Sequence, residues 1–137
     1  MSKRIPKGTY GYINGVLFDY ELKKKELEHR RNDILEAFPN LYGEYMRGTD
    51  IPDPTGNRAA RLDTLEMVHL AHEIRAVEET VALLDKDQLY IYNRFFRDKC
   101  TKWQVIEEMH VSPETFQRRK KEVIEICGLR LGVYLGT

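Results

Sequence analysis

A heptad-like apolar pattern in the middle of the chain constrains the fold most strongly. Between residues 60 and 84, eight positions follow one another at alternating steps of three and four residues, and seven of them are apolar. This spacing is typical of a helix that buries one stripe of side chains, and it predicts a helix over residues 57–84. The eight positions are Ala60, Asp63, Met67, Leu70, Ile74, Val77, Val81 and Leu84.

The first half of this helix carries a second apolar face, formed by Leu62, Leu65 and Val68. One face can pack on another helix of the same chain, which leaves the other available. An apolar face of this kind often marks self-association or a partner. We therefore expect a homo-oligomer and favour a dimer through this helix.

A charged helix is predicted before it, over residues 16–38. Its apolar positions recur at steps of three, four or seven, and Pro39 ends it because the residue before a proline avoids the helical region. Those positions are Leu17, Tyr20, Leu27, Ile34 and Phe38. Three prolines and three glycines over residues 39–57 predict a long irregular connection. Residues 1–84 would thus form a helical hairpin that serves oligomerisation or partner contact.

Three shorter helices are predicted after residue 84, because each begins with a capping pattern. Asp85 with Gln88, and Thr101 with Gln104, have the spacing of a capping box. The segment Ser112-Pro113-Glu114 combines a capping residue, a proline at the first helical position and an acid in the first turn.

The last of these helices is predicted to end at Gly128, with residues 129–137 as a short strand or a packed extension. The predicted fold is therefore all-α, with an N-terminal helical hairpin followed by a C-terminal three-helix unit over residues 85–137.

Charge is distributed unevenly along the 137 residues, although the net charge is zero. Residues 1–31 carry a net +4, residues 32–56 carry −4, residues 57–88 carry −3 and residues 89–137 carry +3. Local patches of this kind, and not the average, determine binding to charged partners.

The sequence lacks an apolar run near the roughly 20 residues that a membrane span needs. Its basic start leads into no apolar segment, which argues against a secretory signal. Two cysteines are too few for a disulfide scaffold, so we expect a cytoplasmic protein.

Residues 101–127 have the spacing of a helix-turn-helix, with a helix of about nine residues, a three-residue turn and a longer helix. The N-terminal residues of the second helix contact base edges in such units. The candidates for base contact are Ser112, Glu114, Thr115, Gln117 and Arg118; those for phosphate contact are Arg119, Lys120 and Lys121, with Lys102 on the first helix. A capped hairpin with a cationic face also occurs in proteins that never contact DNA.

Two segments carry a resemblance to known families. The residues from Leu84 to Phe96, which begin Leu-Asp-Lys-Asp-Gln, together with those from Thr101 to Ile124, resemble the helix-turn-helix of sigma-70 region 4. The segment Asp-Pro-Thr-Gly-Asn-Arg-Ala-Ala-Arg-Leu over residues 53–62, which follows a charged helix, is similar to the middle of phage transcriptional regulators of the ArpU/RinA type. The resemblance implies a late-gene activator of a phage or prophage of Gram-positive bacteria, which binds promoter DNA in the host cytoplasm, with RNA polymerase as a further expected partner.

The chain departs from these families at two positions. It has Ile106 where they usually have a small residue at the helix crossing, and His110 where they usually have glycine in the turn. A branched side chain at the crossing should spread the two helices. A non-glycine residue in the turn must accept a strained backbone if the turn needs a positive φ.

Other candidate sites are weaker, and we predict no enzyme, no cofactor and no metal site. His69 and His72 with Glu73 do not have the order of a zinc motif, and Asp50 and Asp53 fit turn chemistry. The two remaining groups read as core residues: Cys100 and Cys127, and Trp103 with Phe95 and Phe96. Two alternatives stay open, namely a DNA-recognition subunit for phage DNA packaging (a small terminase) and an adaptor that binds RNA polymerase.

Overall fold

The computed structural model describes residues 5–37, 54–133, 135 and 136, and every regular element in these ranges is helical. The predicted all-α fold is confirmed. The helices in chain order are α1 (Lys7–Phe18), α2 (Tyr20–Ala37), α3 (Pro54–Leu83), α4 (Lys86–Ile91), α5 (Lys102–Met109) and α6 (Pro113–Leu131), with a π-helical turn (Tyr92–Arg97) directly after α4. Within the described ranges, no helix is long and apolar enough to cross a membrane.

The helix predicted over residues 16–38 is confirmed over Tyr20–Ala37, but its predicted start is wrong, because residues 16–18 belong to a separate helix, α1. Helix α1 ends at Phe18. The next residue, Asp19, caps it by donating its backbone N–H to the carbonyl of Gly15 at 2.9 Å, and α2 starts at Tyr20. Helix α1 contains three glycines, which are weak helix formers, so local preference does not explain it. Its buried residues Ile13, Val16 and Leu17 do, because tertiary packing of an apolar face outweighs propensity in short helices.

The long helix α3 agrees with the apolar pattern in its described side chains. Leu70, Ile74 and Val77 are buried, whereas Leu65 and Val68 on the second face are 65% and 61% exposed. The helix begins at Pro54, so residues 54–57 of the predicted connection are helical. Proline is favoured at the first helical position because its missing N–H would have no partner there. Residues 38–53, and the side chains of residues 54–63, lie outside the described part of the chain.

The chain forms two compact units. The smaller unit comprises residues 22–72; in it Leu27 and Leu70 are buried, and Arg30 forms ion pairs with Glu26 and Glu66. The larger unit joins residues 1–21 to residues 73–137. Residues 1–21 and 73–84, which we assigned to the N-terminal hairpin, therefore belong to the same compact unit as residues 85–137. The functional division at residue 84 stays a prediction.

One hydrophobic core holds the larger unit together. Helix α6 packs against α1 and α4, and the π-helical turn packs against α1 and α5. Phe95 lies at the centre of an aromatic cluster, with ring centroids 5.3 Å from Phe18 and 5.5 Å from Phe116. Helices α1, α3, α4, α5 and α6 and the π-helical turn each contribute at least one fully buried side chain, and these include Ile13, Val77, Ile91, Phe96, Val105, Phe116, Val123, Ile124 and Cys127.

The predicted end of the last helix at Gly128 is wrong. Helix α6 continues to Leu131, and Gly132 caps it with a φ of 78°. Gly128 is buried inside the helix, where an added Cβ would lie 2.6 Å from Cδ2 of Leu135 and 2.8 Å from Cδ1 of Ile13. The missing side chain lets α1 and the residue from the tail approach the helix, so this glycine serves packing and not termination. Leu135 accordingly belongs to a packed extension.

Candidate nucleic-acid interface

The helix starts in the C-terminal part have the caps that the sequence predicts. The Asp85 carboxylate accepts from the backbone N–H of Gln88 at 2.8 Å, and the Gln88 side chain accepts from the backbone N–H of Asp85 at 3.0 Å. Thr101 and Gln104 form the same reciprocal pair, at 3.1 and 2.9 Å. These bonds satisfy N–H groups that a helix start would otherwise leave unpaired. Both predicted capping boxes are confirmed.

The predicted helix-turn-helix spacing also occurs in the structure. Helix α5 has 8 residues, α6 has 19 residues, and residues 110–112 connect them. His110 occupies the left-handed region, with a φ of 58° and a ψ of 44°. Glycine is favoured in this backbone conformation. Because His110 adopts it, α5 ends directly before this residue, at Met109.

The exposed face of α6 is set by the burial of Phe116. Arg118 lies two residues further on, about 200° round the helix, and therefore points away from the core. Glu114 and Gln117 are exposed on the same side. Arg118 forms no hydrogen bond or ion pair with any described residue, so its guanidinium is available to a ligand.

Two of the predicted base-contacting residues already serve the cap of α6. The hydroxyl of Ser112 accepts from the backbone N–H of Thr115 at 3.2 Å and donates to the hydroxyl of Thr115 at 3.0 Å. Both side chains lie at the start of the helix, beside Glu114, where base contacts are expected. The bonds that they form in the structure are those of the helix cap, which fixes the direction in which α6 begins.

The four consecutive cations of α6 separate into different surroundings. Arg118 is exposed, whereas Arg119 donates to Glu122 at 3.2 Å and lies 3.8 Å from Asp85. Lys121 is 4.0 Å from Glu125. The Nε atom of Arg119 is buried without a hydrogen-bond partner among the described residues. Arg119 and Lys121 are thus already neutralised within the chain, at half-exposed positions where solvent weakens each pair.

Lys120 is turned towards the core, in contrast to Arg118. Its ammonium lies 4.9 Å from the ring centroid of Phe95 and 5.7 Å from that of Tyr10. Burial lowers the pKa of the Lys120 ammonium, and the charge of Lys102 lowers it further. Tyr10 comes from α1, so a helix outside the predicted helix-turn-helix contributes to this surface. This contribution of α1 could not be predicted from the sequence, because no local pattern in α1 indicates which helix it packs against.

The prediction that Trp103 is a core residue is wrong. We placed it in the core with Phe95 and Phe96, but its side chain is 64% exposed. Val105 is the fully buried residue of α5, and Trp103 lies two residues before it, about 200° round the helix. The ammonium of Lys102 lies 5.2 Å from the Trp103 ring. The start of α5 therefore presents a cation and an indole side by side.

The other sites considered in the sequence have little support. The described part of the chain contains no group of three or more His, Cys, Asp or Glu side chains that could hold a metal ion. His69 and His72 are exposed, and Asp50 and Asp53 lie outside the described residues. Cys127 is buried, which raises the pKa of its thiol to about 11, and Cys100 is half-buried.

Comparisons with protein-family models, with curated proteins and with solved structures gave no match to this chain.

Proposed function

We propose that the protein binds duplex DNA sequence-specifically through the exposed face of α6 and acts as a transcriptional regulator. The observation that carries the proposal is the position of Arg118. This residue is exposed near the start of a capped helix, opposite a buried phenylalanine, and it has no partner among the described residues. An arginine in this position can bind guanine with two hydrogen bonds in the major groove.

The remaining predicted contacts divide between bases and phosphates. Glu114 and Gln117 share the exposed face with Arg118, and their side chains can bond to cytosine and adenine respectively. Ser112 and Thr115 would contact DNA only while keeping the helix cap. Arg119 and Lys121 would exchange a carboxylate partner for a phosphate, and Lys102 and Lys120 would meet a phosphate without such an exchange.

The regulatory assignment rests on the resemblance to phage regulators and to sigma-70 region 4. It describes a late-gene activator of a phage or prophage, which acts in the bacterial cytoplasm and contacts RNA polymerase. Leu65 and Val68, exposed on α3, are the residues that we expect at a dimer interface. A symmetric dimer would place two half-sites about one helical turn of DNA apart, or a multiple of it.

Selection of binders from a random duplex library, at roughly 0.15 M salt, tests the proposal. The wild type should enrich a motif that a Gln117→Ala/Arg118→Ala variant no longer enriches. Arg130→Ala is the matched control, because Arg130 is exposed in the last turn of the same helix. Circular dichroism should show that all three proteins are folded.

Three results would count against the proposal. Failure of the folded wild type to enrich any motif would overturn sequence-specific binding. Co-purification with RNA polymerase without a shift of duplex DNA would favour the adaptor, and ring-sized oligomers in light scattering would favour the packaging subunit.

A further inference from the structure

We infer that Glu122 restrains DNA binding, because its carboxylate holds the Arg119 guanidinium that a backbone phosphate of duplex DNA would otherwise take. Asp85, which caps the start of α4, shares in this restraint. The inference rests on the proposed function, which supplies the ligand. It adds a regulatory role for two carboxylates and for α4, none of which is among the predicted DNA contacts.

The first argument is the surroundings of Arg119 in the free protein. Nη1 of Arg119 donates to Oε1 of Glu122 at 3.2 Å and lies 3.8 Å from Oδ2 of Asp85. The side chains of Arg119, Glu122 and Asp85 are 30%, 37% and 54% exposed, so solvent weakens both ion pairs. Nε of Arg119 is buried without a hydrogen-bond partner among the described residues. The guanidinium is therefore held by weak pairs and has a donor to spare.

The second argument is that a phosphate uses this guanidinium more fully than the two carboxylates do. An arginine binds a phosphate with two parallel hydrogen bonds from its planar fork. Glu122 and Asp85 both contact the same atom of Arg119, Nη1, so their contacts do not use the fork. An exchange of partners therefore gains a hydrogen bond when a duplex brings a phosphate close.

The third argument is that α4 holds the Glu122 carboxylate in place. Nε2 of Gln88 donates to Oε1 of Glu122 at 3.3 Å. Gln88 is buried and belongs to the capping box of α4 with Asp85. Glu122 therefore keeps a donor when Arg119 leaves, and its negative charge stays where it is.

The fourth argument concerns the direction in which Arg119 points. It follows Arg118 by about 100° round α6, so it points to one wall of the major groove when Arg118 points to the floor. That wall is the sugar–phosphate backbone. Glu122 lies one turn after Arg118 and about 40° from it round the helix, on the side that meets the DNA. Once Arg119 exchanges partners, the carboxylate of Glu122 repels the phosphates, and this repulsion is the restraint.

The salt dependence of DNA binding by Glu122→Gln tests this inference. Each phosphate that a protein neutralises adds about 0.9 to the slope of log K against log salt concentration. We expect Glu122→Gln to steepen the slope by up to about 0.9, and to bind the selected motif and unrelated duplexes up to about fivefold more tightly at roughly 0.15 M salt. Glutamine has the shape of glutamate and can still accept from Gln88, so the fold should be retained.

The gain should depend on Arg119. We expect Arg119→Gln to flatten the slope more in the Glu122→Gln background than in the wild type, because Glu122 no longer holds the guanidinium there. Equal effects in both backgrounds would show that the two charges act independently, and would overturn the inference. Glu79→Gln is the matched control, since it removes an exposed carboxylate from α3 and should leave the slope unchanged.

Elution from immobilised heparin gives a second readout that does not involve DNA. Heparin is a polyanion, and its sulfate groups can take the place of phosphates at a free guanidinium. Glu122→Gln should elute at a higher salt concentration than the wild type, the Glu79→Gln control and the Arg119→Gln/Glu122→Gln double variant. Circular dichroism should show that all of these proteins are folded.

The outcomes separate the inference from the proposed function. If the wild type binds duplex DNA and Glu122→Gln binds it with an unchanged or flatter slope, the restraint is disproved while DNA binding stands. If no variant binds duplex DNA but Glu122→Gln alone elutes later from heparin, the restraint on Arg119 stands and the proposed function is lost. If neither DNA nor heparin distinguishes Glu122→Gln from the wild type, the inference is disproved. Weaker binding of both by this variant would make Glu122 a residue that positions α6, and would also overturn the inference.

Discussion

Arg94 and Glu108 form a two-bond ion pair that ties the π-helical turn to helix α5. Nε of Arg94 donates to Oε1 of Glu108 at 3.2 Å, and Nη2 donates to Oε2 at 2.9 Å. Asp98 accepts from the same guanidinium at 3.1 Å. This parallel arrangement matches the planar fork of arginine to a carboxylate, and it is stronger and more directional than a single bond. The pair therefore fixes the direction of the first helix of the helix-turn-helix.

This pair makes stability depend on pH in the acidic range. Hydrogen bonding from Arg94 lowers the pKa of Glu108, and bonding from Arg97 and Arg94 lowers the pKa of Asp98. A lowered folded-state pKa stabilises the fold above the unfolded-state pKa of about 4, and this stabilisation disappears as the pH falls through the folded-state value. We expect Glu108→Gln to lower the melting temperature at pH 7, with the difference from wild type shrinking below pH 4. A difference that is independent of pH would contradict this account. Glu107→Gln, an exposed change at the neighbouring position, is the control.

The left-handed conformation of His110 predicts a stabilising substitution. A side chain at a positive φ costs roughly 1–2 kcal/mol, of which the greater flexibility of glycine in the unfolded chain offsets part. We therefore expect His110→Gly to raise the free energy of unfolding by about 0.5–1 kcal/mol in urea titrations.

Lys99 is the matched comparison, because its φ is 61°. Its ammonium donates to the carbonyl of Phe96 at 2.8 Å and to that of Phe18, and it lies over the Phe18 ring. Lys99→Gly loses these contacts and should not stabilise the protein. Equal gains from both substitutions would show that the backbone strain alone determines the effect.

Helix α1 should be required for the stability of the helix-turn-helix. Ile13 is fully buried and lies in the same core as Phe116 and Val123. Its truncation to alanine leaves a cavity in that core, so we expect Ile13→Ala to lower the free energy of unfolding by about 3 kcal/mol. Lys7→Ala, an exposed change on the same helix, should stay within about 0.5 kcal/mol of wild type. A loss below 1 kcal/mol for Ile13→Ala, by chemical denaturation, would mean that residues 73–137 hold their fold without α1.

Local patterns predicted the helix starts and the turn, because caps depend on residues three positions apart. Asp85 with Gln88, Thr101 with Gln104, and Ser112 before Pro113 all act within one turn of helix. The seam through Leu70, Ile74 and Val77 was also predictable, since its period is a property of the helix itself.

The errors concern packing between distant parts of the chain. No local pattern shows that α1 covers α6, or that Gly128 lets Ile13 approach. The orientation of Trp103 depends on which side of α5 is buried, and Val105, not the largest aromatic residue, determines that side. Lys120 is predicted with Arg119 and Lys121 as a phosphate contact because the three residues are consecutive. No local pattern shows that its ammonium lies over the rings of Phe95 and Tyr10, whereas Arg119 and Lys121 pair with carboxylates.

Arg118 and Lys121 should therefore contribute to DNA binding in different ways. Arg118 has no partner within the described chain, and we expect it to contact one base. Arg118→Ala should cost about 1–3 kcal/mol of binding free energy for the selected motif and relax specificity at one base pair, with little change for unrelated duplexes. Lys121→Ala should weaken binding to all sequences alike and lower the salt slope by up to about 1, because phosphates are the same everywhere. Fluorescence anisotropy with the selected motif, its single-base variants and an unrelated duplex distinguishes the two patterns. If Arg118→Ala lowered affinity for every duplex equally, Arg118 would be a phosphate contact, and the base-reading residues would have to be sought among Glu114 and Gln117.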